Sequence, residues 1–372
     1  MPLNRIHVRI FEGGVGMSVL VCFEDKGSYG FFYYESRDHQ DCKRILLDWL
    51  QVQRIEALSE YRISGINRRA DIYFHYQEQA YAFEVQLSHI SSSVFNERTR
   101  DYEQAGIIPY WIGHGELKSR SHKIPFNILD ECYIRHAPVP HAFYIDTVKE
   151  SLFIRHSFAY EKHKSVRVTD TNGMHGLVMD DLKNPVRAIG KAVFFDEEAK
   201  RKWLQTTRYK RTKRYLTLNM GERFVLKLLQ SYGQNLNYFP SICRVPLRNQ
   251  FILRTHPEIW QTWFLLKVVM GEAGLNGTLS LCTAVNRLKE AVYIGVIQVR
   301  EINNTMHRNA SLAALAEEYL GWLVWIGVLT TRRSSIYCMK NRVNVRKTLE
   351  TLLMDDEYVV NEVSFYLECR KE

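Results

Sequence analysis

The chain has 372 residues, of which 46% are hydrophobic and 24% are charged, and this composition excludes a mainly disordered protein. At about 100–200 residues per domain, the length allows two or three domains. The 50 Lys and Arg residues exceed the 41 Asp and Glu residues, and the resulting net charge of +9 favours an anionic partner.

Targeting and membrane signals are not visible in the sequence. No apolar stretch typical of signal peptides follows Met1, and the longest apolar run, residues 319–329, is shorter than the about 20 residues that a spanning helix needs. The seven cysteines are scattered and form no Cys-x-x-Cys pair, so neither a disulfide framework nor a zinc site of paired cysteines is predicted. We therefore expect a cytoplasmic protein with no membrane insertion.

The first third of the chain predicts a small β-rich unit followed by an α/β domain. Residues 1–35 alternate apolar and polar positions between glycines, as short strands do. A helix is predicted over 36–51 with Ser36 as its N-cap. Three strands, a helix and a further strand follow, at 55–63, 70–76, 81–87, 91–104 and 107–112. This order predicts a mixed α/β architecture for a domain covering 36–115.

The remainder is predicted to be a β-containing extension with a basic linker, 116–216, and a helical C-terminal domain, 217–372. Short strand-like runs occur at 142–146, 152–154 and 166–168. Near the C-terminus a helix over 311–326 is followed by Gly327, a strand, a polar tip and another strand. This order predicts a winged helix at 278–345, which would either bind DNA or serve as a dimerisation or structural module.

The most informative segment is an acidic β-hairpin containing Asp71, Glu84 and Gln86. A two-residue loop would place Asp71 opposite Glu84, whereas a four-residue loop would place it opposite Gln86. In both cases the three side chains share one face, and opposed Cβ atoms are about 4.5–5.5 Å apart. Two such carboxylates repel each other and would be compensated by a hard cation such as Mg²⁺. The alternative is a solvent-facing sheet surface that happens to carry two acids.

An ordered string of short motifs surrounds this hairpin. It consists of Ser36-Arg37-Asp38-His39, Ala70-Asp71-Ile72, Phe83-Glu84-Val85-Gln86-Leu87-Ser88, Glu97-Arg98 with Tyr102, and Trp111-Ile112-Gly113, with Tyr238-Phe239-Pro240 and Trp260-Gln261 further on. The string resembles the competence protein CoiA-like family of the PD-(D/E)xK (restriction-endonuclease-like) nuclease superfamily. The resemblance covers about residues 20–265 and is strongest over 36–113.

The resemblance implies a bacterial protein that acts on DNA in natural transformation, as a nuclease dependent on Mg²⁺ or Mn²⁺. Asp71 and Glu84 would be the metal ligands, and Gln86 would stand where many relatives of the fold have Lys. Asp38 would be an accessory acid on the first helix. Arg98 and Tyr102 would line the site from the second helix. Apart from the resemblance, His39 and Lys43 lie four residues apart on one face of the first helix, and they would either face the metal site and bound phosphate or form a partly exposed pair with no catalytic role.

Two departures from the usual pattern bear on this interpretation. Family members commonly begin with a small zinc-binding module, but here Cys22 stands alone at the corresponding place, so we expect no zinc. Gln86 can orient a water molecule but lacks the positive charge that Lys would offer to a developing phosphorane. Slow or partner-dependent cleavage is therefore an alternative to efficient catalysis.

A basic segment near the middle of the chain predicts contact with single-stranded DNA. Residues 200–214 contain eight cations and no acid, interleaved with aromatic rings. The cations are Lys200, Arg201, Lys202, Arg208, Lys210, Arg211, Lys213 and Arg214. Cations neutralise phosphates and rings stack on bases, which suits single strands. The alternative is a solvated basic helix with no ligand.

Three hypotheses follow from the sequence. The first is a metal-dependent DNA nuclease acting through Asp71 and Glu84. The second is a catalytically weak factor that binds single-stranded DNA or recombination proteins through its basic segment and C-terminal domain. The third is a DNA-binding regulator built around the winged helix.

Overall fold

The computed structural model describes residues 6–13, 16–23, 29–33, 35–173, 176–190, 195–274, 277–300, 305–333 and 335–369. Its residues group into two compact units. The first contains the described residues up to His122, with Asn127–His156 and Thr169–Gly190, and the second contains Lys123–Phe126, Ser157–Val168 and the described residues from 195 onward.

These units differ from the predicted domain boundaries after residues 115 and 216. The strands expected in a separate extension instead join the main sheet, because residues 141–146 pair beside the strand that ends at His114. The basic segment is not a linker but a helix of the second unit.

The N-terminal part forms a three-stranded antiparallel sheet, as the alternating pattern predicts. Its strands are β1 (Ile6–Gly13), β2 (Gly16–Phe23) and β3 (Tyr29–Tyr33), in that spatial order.

The first helix, α1 (Arg37–Val52), begins after Ser36, whose side chain accepts a hydrogen bond from the His39 backbone N–H at 3.3 Å. This N-cap is the one that the sequence predicts. Cys42, Leu46 and Leu50 recur at helical spacing and are fully buried. They form one hydrophobic core with sheet residues that include Phe83.

The main sheet of eight strands has the order β4-β5-β6-β7-β9-β10-β11-β8. Its strands are β4 (Ala57–Ile63), β5 (Arg68–Tyr76), β6 (Gln79–Val85), β7 (Ile107–His114), β8 (His122–Pro125), β9 (His141–Asp146), β10 (Ser151–Lys162) and β11 (Ser165–Thr171). The first three are antiparallel, whereas β6-β7-β9 run parallel. The sheet is therefore mixed, and the predicted α/β class with a PD-(D/E)xK-like core is confirmed.

Short helices connect these strands. They are α2 (Ser92–Gln104), α3 (Ile128–Tyr133), α4 (Met179–Lys183) and α5 (Val186–Ile189). Helix α2 provides the crossover that the parallel pair β6-β7 requires, and Ser91 caps its N-terminus. This crossover carries Arg98 and Tyr102 over the strand that contains Glu84.

The second unit is mainly helical. Its helices are α6 (Glu197–Thr212), α7 (Met220–Gln230), α8 (Pro257–Trp263), which continues as a π-helix over Phe264–Ala273, α9 (Leu281–Tyr293), α10 (Thr305–Trp325) and α11 (Leu349–Cys369). Three 3-10 turns cover Leu236–Tyr238, Ser241–Cys243 and Arg248–Ile252. None of the described helices is both long enough and apolar enough to cross a membrane.

A small antiparallel sheet in this unit has the order β12-β14-β13, formed by β12 (Leu279–Ser280), β13 (Leu329–Arg333) and β14 (Ile336–Met339). Strand, two helices and two paired strands is the order expected of a winged helix. Within 311–325, however, Glu317 and Trp325 alone are exposed, and Trp322 is fully buried. This part of α10 belongs to the core and leaves little surface for reading DNA.

Candidate active site

The hairpin that carries the two acids turns through a two-residue loop. Tyr76 pairs with Gln79 across it, and the loop residues Gln77 and Glu78 have φ angles of 50° and 64°. Positive φ at both positions is the conformation that tight hairpins favour. Ile72 pairs with Phe83, so continuing the register by one pair places Asp71 opposite Glu84. The shorter of the two predicted loops is therefore the one present.

Glu84 is almost completely buried, with 1% of its surface exposed. Its two oxygens accept hydrogen bonds from the Tyr102 hydroxyl and the Arg98 guanidinium, both on α2. Burial and then the charge of Asp71 raise the pKa of Glu84 to about 7, although Arg98 and Tyr102 oppose the rise. At neutral pH this carboxyl group is consequently poised between its two protonation states.

Asp71 lies beside it in a more open position. Its Oδ2 accepts the Val85 backbone N–H at 2.7 Å and lies 3.4 Å from Nε2 of His39. Burial acts to lower the pKa of His39, but the hydrogen bond and charge of Asp71, with the charge of Glu35, raise it above its usual value. The site thus brings together two carboxyl groups, one of them with a raised pKa, and an imidazole.

Gln86 is held at the end of β6 by three neighbours. Its amide nitrogen donates to the Ser88 carbonyl at 2.8 Å, and its amide oxygen accepts from Arg98 Nη1 at 3.4 Å. The Tyr133 hydroxyl donates to its backbone carbonyl. Arg98 therefore bridges Glu84 and Gln86 while its guanidinium lies 5.0 Å from the centre of the Trp111 ring.

Two predictions for α1 are corrected by the structure. Lys43 is buried and forms ion pairs with Glu35, at 2.5 Å, and with Glu60, so its charge is already neutralised and does not face a phosphate. Asp38 lies in the exposed first turn, and the side chain of α1 that reaches Asp71 is His39. Helical spacing identifies residues that share a face, but it does not show which face turns toward the sheet.

The predicted DNA contact of the basic segment is corrected for two of its residues. Lys210 is buried and pairs with Glu258 at 2.7 Å, and Arg211 is buried and pairs with Asp356 at 2.7 Å. We no longer assign these two a contact with nucleic acid, because their charges are used inside the unit.

The other predicted contacts of this segment lie nearer the surface. Lys200, Lys202 and Arg208 pair with Glu197, Glu198 and Glu357. Arg201 and Arg214 are exposed, and the Lys213 ammonium lies 4.5 Å from the centre of the Tyr215 ring.

The donor set at the hairpin suits a hard cation. Among the described residues, no three His, Cys, Asp or Glu side chains are grouped as ligands for a metal ion. Mg²⁺, however, commonly takes one or two carboxylates and completes its shell with water and phosphate oxygens. The opposed pair Asp71 and Glu84 is of this kind, and burial and then the charge of Asp71 raise the pKa of Glu84. Binding would require Arg98 to leave Glu84.

An opposed pair of acids on a hairpin, one of them buried, in a mixed sheet and under a crossover helix, defines a nuclease-like α/β domain. Residues 35–187 match the family model described as "Competence protein CoiA, nuclease-like domain", and residues 199–353 match "Competence protein CoiA, C-terminal domain". The curated "Competence protein CoiA" of Bacillus subtilis (strain 168) is 23% identical over 334 residues, covering 87% of this chain and 84% of that protein. No solved structure matches the chain. The chain belongs to the competence protein CoiA family.

Proposed function

We propose that this chain is a cytoplasmic DNA-processing protein of competence that hydrolyses phosphodiester bonds with the help of Mg²⁺ or Mn²⁺. The observation that carries the proposal is the pair of carboxyl groups on β5 and β6, one buried with a pKa of about 7 and one facing it. A purely structural acid would not need a second carboxylate placed against it, because like charges directly opposed on a sheet are destabilising.

Asp71 and Glu84 would hold the cation. When bound, it would supply a water of lowered pKa and offset negative charge on the phosphate. Gln86, whose amide oxygen accepts a hydrogen bond from Arg98, would orient that water through its amide group. Arg98, which bridges Glu84 and Gln86, would stabilise the charge on the phosphate, because its guanidinium would be free to bind phosphate once it leaves Glu84.

Cleavage of single- and double-stranded DNA by the purified protein, with Mg²⁺, Mn²⁺ or EDTA, tests the proposal. We expect Asp71→Asn and Glu84→Gln each to lower the rate by at least about 100-fold, the loss typical of removing a group that stabilises the transition state. DNA binding should stay nearly unchanged, because neither variant removes a Lys or Arg side chain.

Glu97→Gln is the matched control, since Glu97 is an exposed acid of α2 that pairs with Arg68 at the start of β5 and not with Asp71 or Glu84. It should cut as the wild type does. Equal cleavage by Asp71→Asn, Glu84→Gln and the wild type would exclude hydrolysis at this site.

The second candidate is a catalytically weak factor that binds single-stranded DNA or recombination proteins. It is favoured by one observation, namely that both oxygens of Glu84 already have hydrogen-bond partners. In that case Arg98 would act as a fixed counter-ion and no metal would bind. Calorimetric titration with Mn²⁺ separates the two candidates. If the wild type binds Mn²⁺ and Asp71→Asn does not, the nuclease is supported. If the wild type binds no Mn²⁺, the weak factor is supported.

A further inference from the structure

A cavity of about 460 Å³ lies within the second unit, apart from the acidic hairpin. The end of β10, helix α6, residues 244–247 and residues 256–257 enclose it. Its volume falls in the range of sites that hold small organic ligands, about 300–1,000 Å³.

One residue that lines the cavity is a buried arginine with hydrogen-bond donors that have no partner in the described part of the chain. Arg244 is 5% exposed, and its Nε and Nη1 have no hydrogen-bond partner among the described residues. The nearest carboxylate oxygen, Oε2 of Glu258, lies 3.9 Å from Nε, which is too far for a hydrogen bond. Leaving hydrogen-bond donors of a buried guanidinium unpaired is costly, so an anion that accepted hydrogen bonds from them would be stabilised here.

The lining as a whole is cationic. Five of the described lining residues are Lys or Arg and one is acidic. Of these, Arg167 pairs with the acid, Glu161, and Lys210 pairs with Glu258 behind the wall. Lys202 is half-buried and pairs with Glu198. The surplus of positive charge indicates that the missing ligand is an anion and not a neutral metabolite.

Aromatic rings line the same cavity. The Arg244 guanidinium lies 4.2 Å from the centre of the Trp203 ring, and Phe195 meets that ring edge-on. Tyr209 also lines the cavity and is 60% exposed, so its ring is accessible from solvent. Cations beside an accessible ring suit a ligand that has both a phosphate and a flat base.

We propose that this cavity binds a nucleoside phosphate, with its phosphate at Arg244, Arg167 and Lys202 and its base against Tyr209. The unit bound is either a nucleotide of single-stranded DNA or a free nucleotide. The site is separate from the hairpin and needs no divalent cation. Its binding is therefore independent of the proposed hydrolysis.

Binding measured in EDTA tests this site with three probes: a fluorescein-labelled oligothymidylate, dTMP and inorganic phosphate. The double variant Arg167→Ala/Lys202→Ala removes two lining charges and should weaken binding of the oligonucleotide and dTMP by at least about tenfold. The matched control Arg223→Ala/Lys227→Ala removes two exposed charges of helix α7 from residues that do not line the cavity. It should change the affinity by less than about threefold.

Tyr209→Ala adds a test that does not depend on charge. It should weaken binding of dTMP and the oligonucleotide by at least about fivefold and leave binding of phosphate unchanged, because it removes the ring on which the base stacks. Binding of dTMP without the oligonucleotide would assign the site to free nucleotides. Equal weakening by the two double variants, or no binding of any probe to the folded wild type, would overturn the proposal. Asp71→Asn should leave these affinities unchanged, which separates this site from the nuclease.

Discussion

Glu84 concentrates the chemistry of the first unit in a single side chain. It is buried beneath α2, faces Asp71 and relies on Arg98 and Tyr102 for its hydrogen bonds. The folded state raises its pKa from 4.5 to about 7. The folded protein therefore binds this proton more tightly than the unfolded chain does.

This shift predicts a loss of stability as the pH rises from 4.5 to 7. Over that range the native state holds more protons than the unfolded state, so the free energy of unfolding falls, by on the order of 3 kcal/mol in total. Glu84→Gln removes this titration. In denaturant unfolding, the free energy of unfolding of the variant relative to that of the wild type should therefore rise by about 3 kcal/mol between pH 4 and pH 8.

Glu97→Gln again provides the control, since that exposed acid should give a curve parallel to the wild type. A constant difference between Glu84→Gln and the wild type across the range would show that Glu84 ionises normally. Mg²⁺ held by Asp71 and Glu84 would favour the ionised form, so adding Mg²⁺ should flatten the wild-type curve.

The pairing of Asp71 with Glu84 could be predicted because a strand has a fixed period of two. A loop of two or of four residues places the acids on one face, and the structure has the two-residue loop, formed by Gln77 and Glu78. No such rule applies to α1, where the rotation of the helix is decided by Cys42, Leu46 and Leu50 packing on the sheet. That packing brings His39 to the acids and leaves Asp38 exposed.

Strand β7 contains a glycine, Gly113, that packs closely against two tyrosine rings near the hairpin. A Cβ added at Gly113 would lie 2.5 Å from Cε1 of Tyr144 and 2.9 Å from Cε2 of Tyr133. Tyr133 in turn donates to the backbone carbonyl of Gln86. The glycine of the Trp-Ile-Gly motif therefore leaves room for the ring that fixes the end of β6.

We expect Gly113→Ala to lower the free energy of unfolding by about 1–3 kcal/mol, the usual cost of overpacking a filled core. Displacement of Tyr133 should also reduce any cleavage activity. Gly115→Ala is a matched control, because a Cβ there would meet its nearest neighbours at 3.7–3.8 Å, an ordinary contact distance. Equal denaturation midpoints for the two variants would contradict this role of Gly113.

At the scale of the whole chain, most of the Lys and Arg side chains of residues 200–214 form ion pairs with acidic side chains. Five of its eight cations form such pairs, three of them with partners far away in sequence, Glu258, Asp356 and Glu357. Composition within a short window cannot show this, because pairing over such separations depends on the packing of α6 against elements that follow much later. The net charge of +9 therefore overstates how much of α6 is available to an anionic partner.

The pair of Arg211 and Asp356 should carry a large share of the stability of the second unit. It joins α6 to α11 with 0% and 2% of the two side chains exposed, and Arg211 also donates to the Ser241 hydroxyl at 3.1 Å. Asp356→Asn would leave the guanidinium buried without its counter-charge, which typically costs about 3–5 kcal/mol.

The next residue offers the comparison. Glu357 pairs with Arg208 on the same two helices, but these side chains are 57% and 49% exposed, so Glu357→Gln should cost at most about 1 kcal/mol. Urea unfolding of both variants measures the contrast between a buried and an exposed pair at adjacent positions. If the two changes had the same effect, Arg211 would not need Asp356 as its counter-charge, and the exclusion of Arg211 from nucleic-acid contact would lose its physical basis.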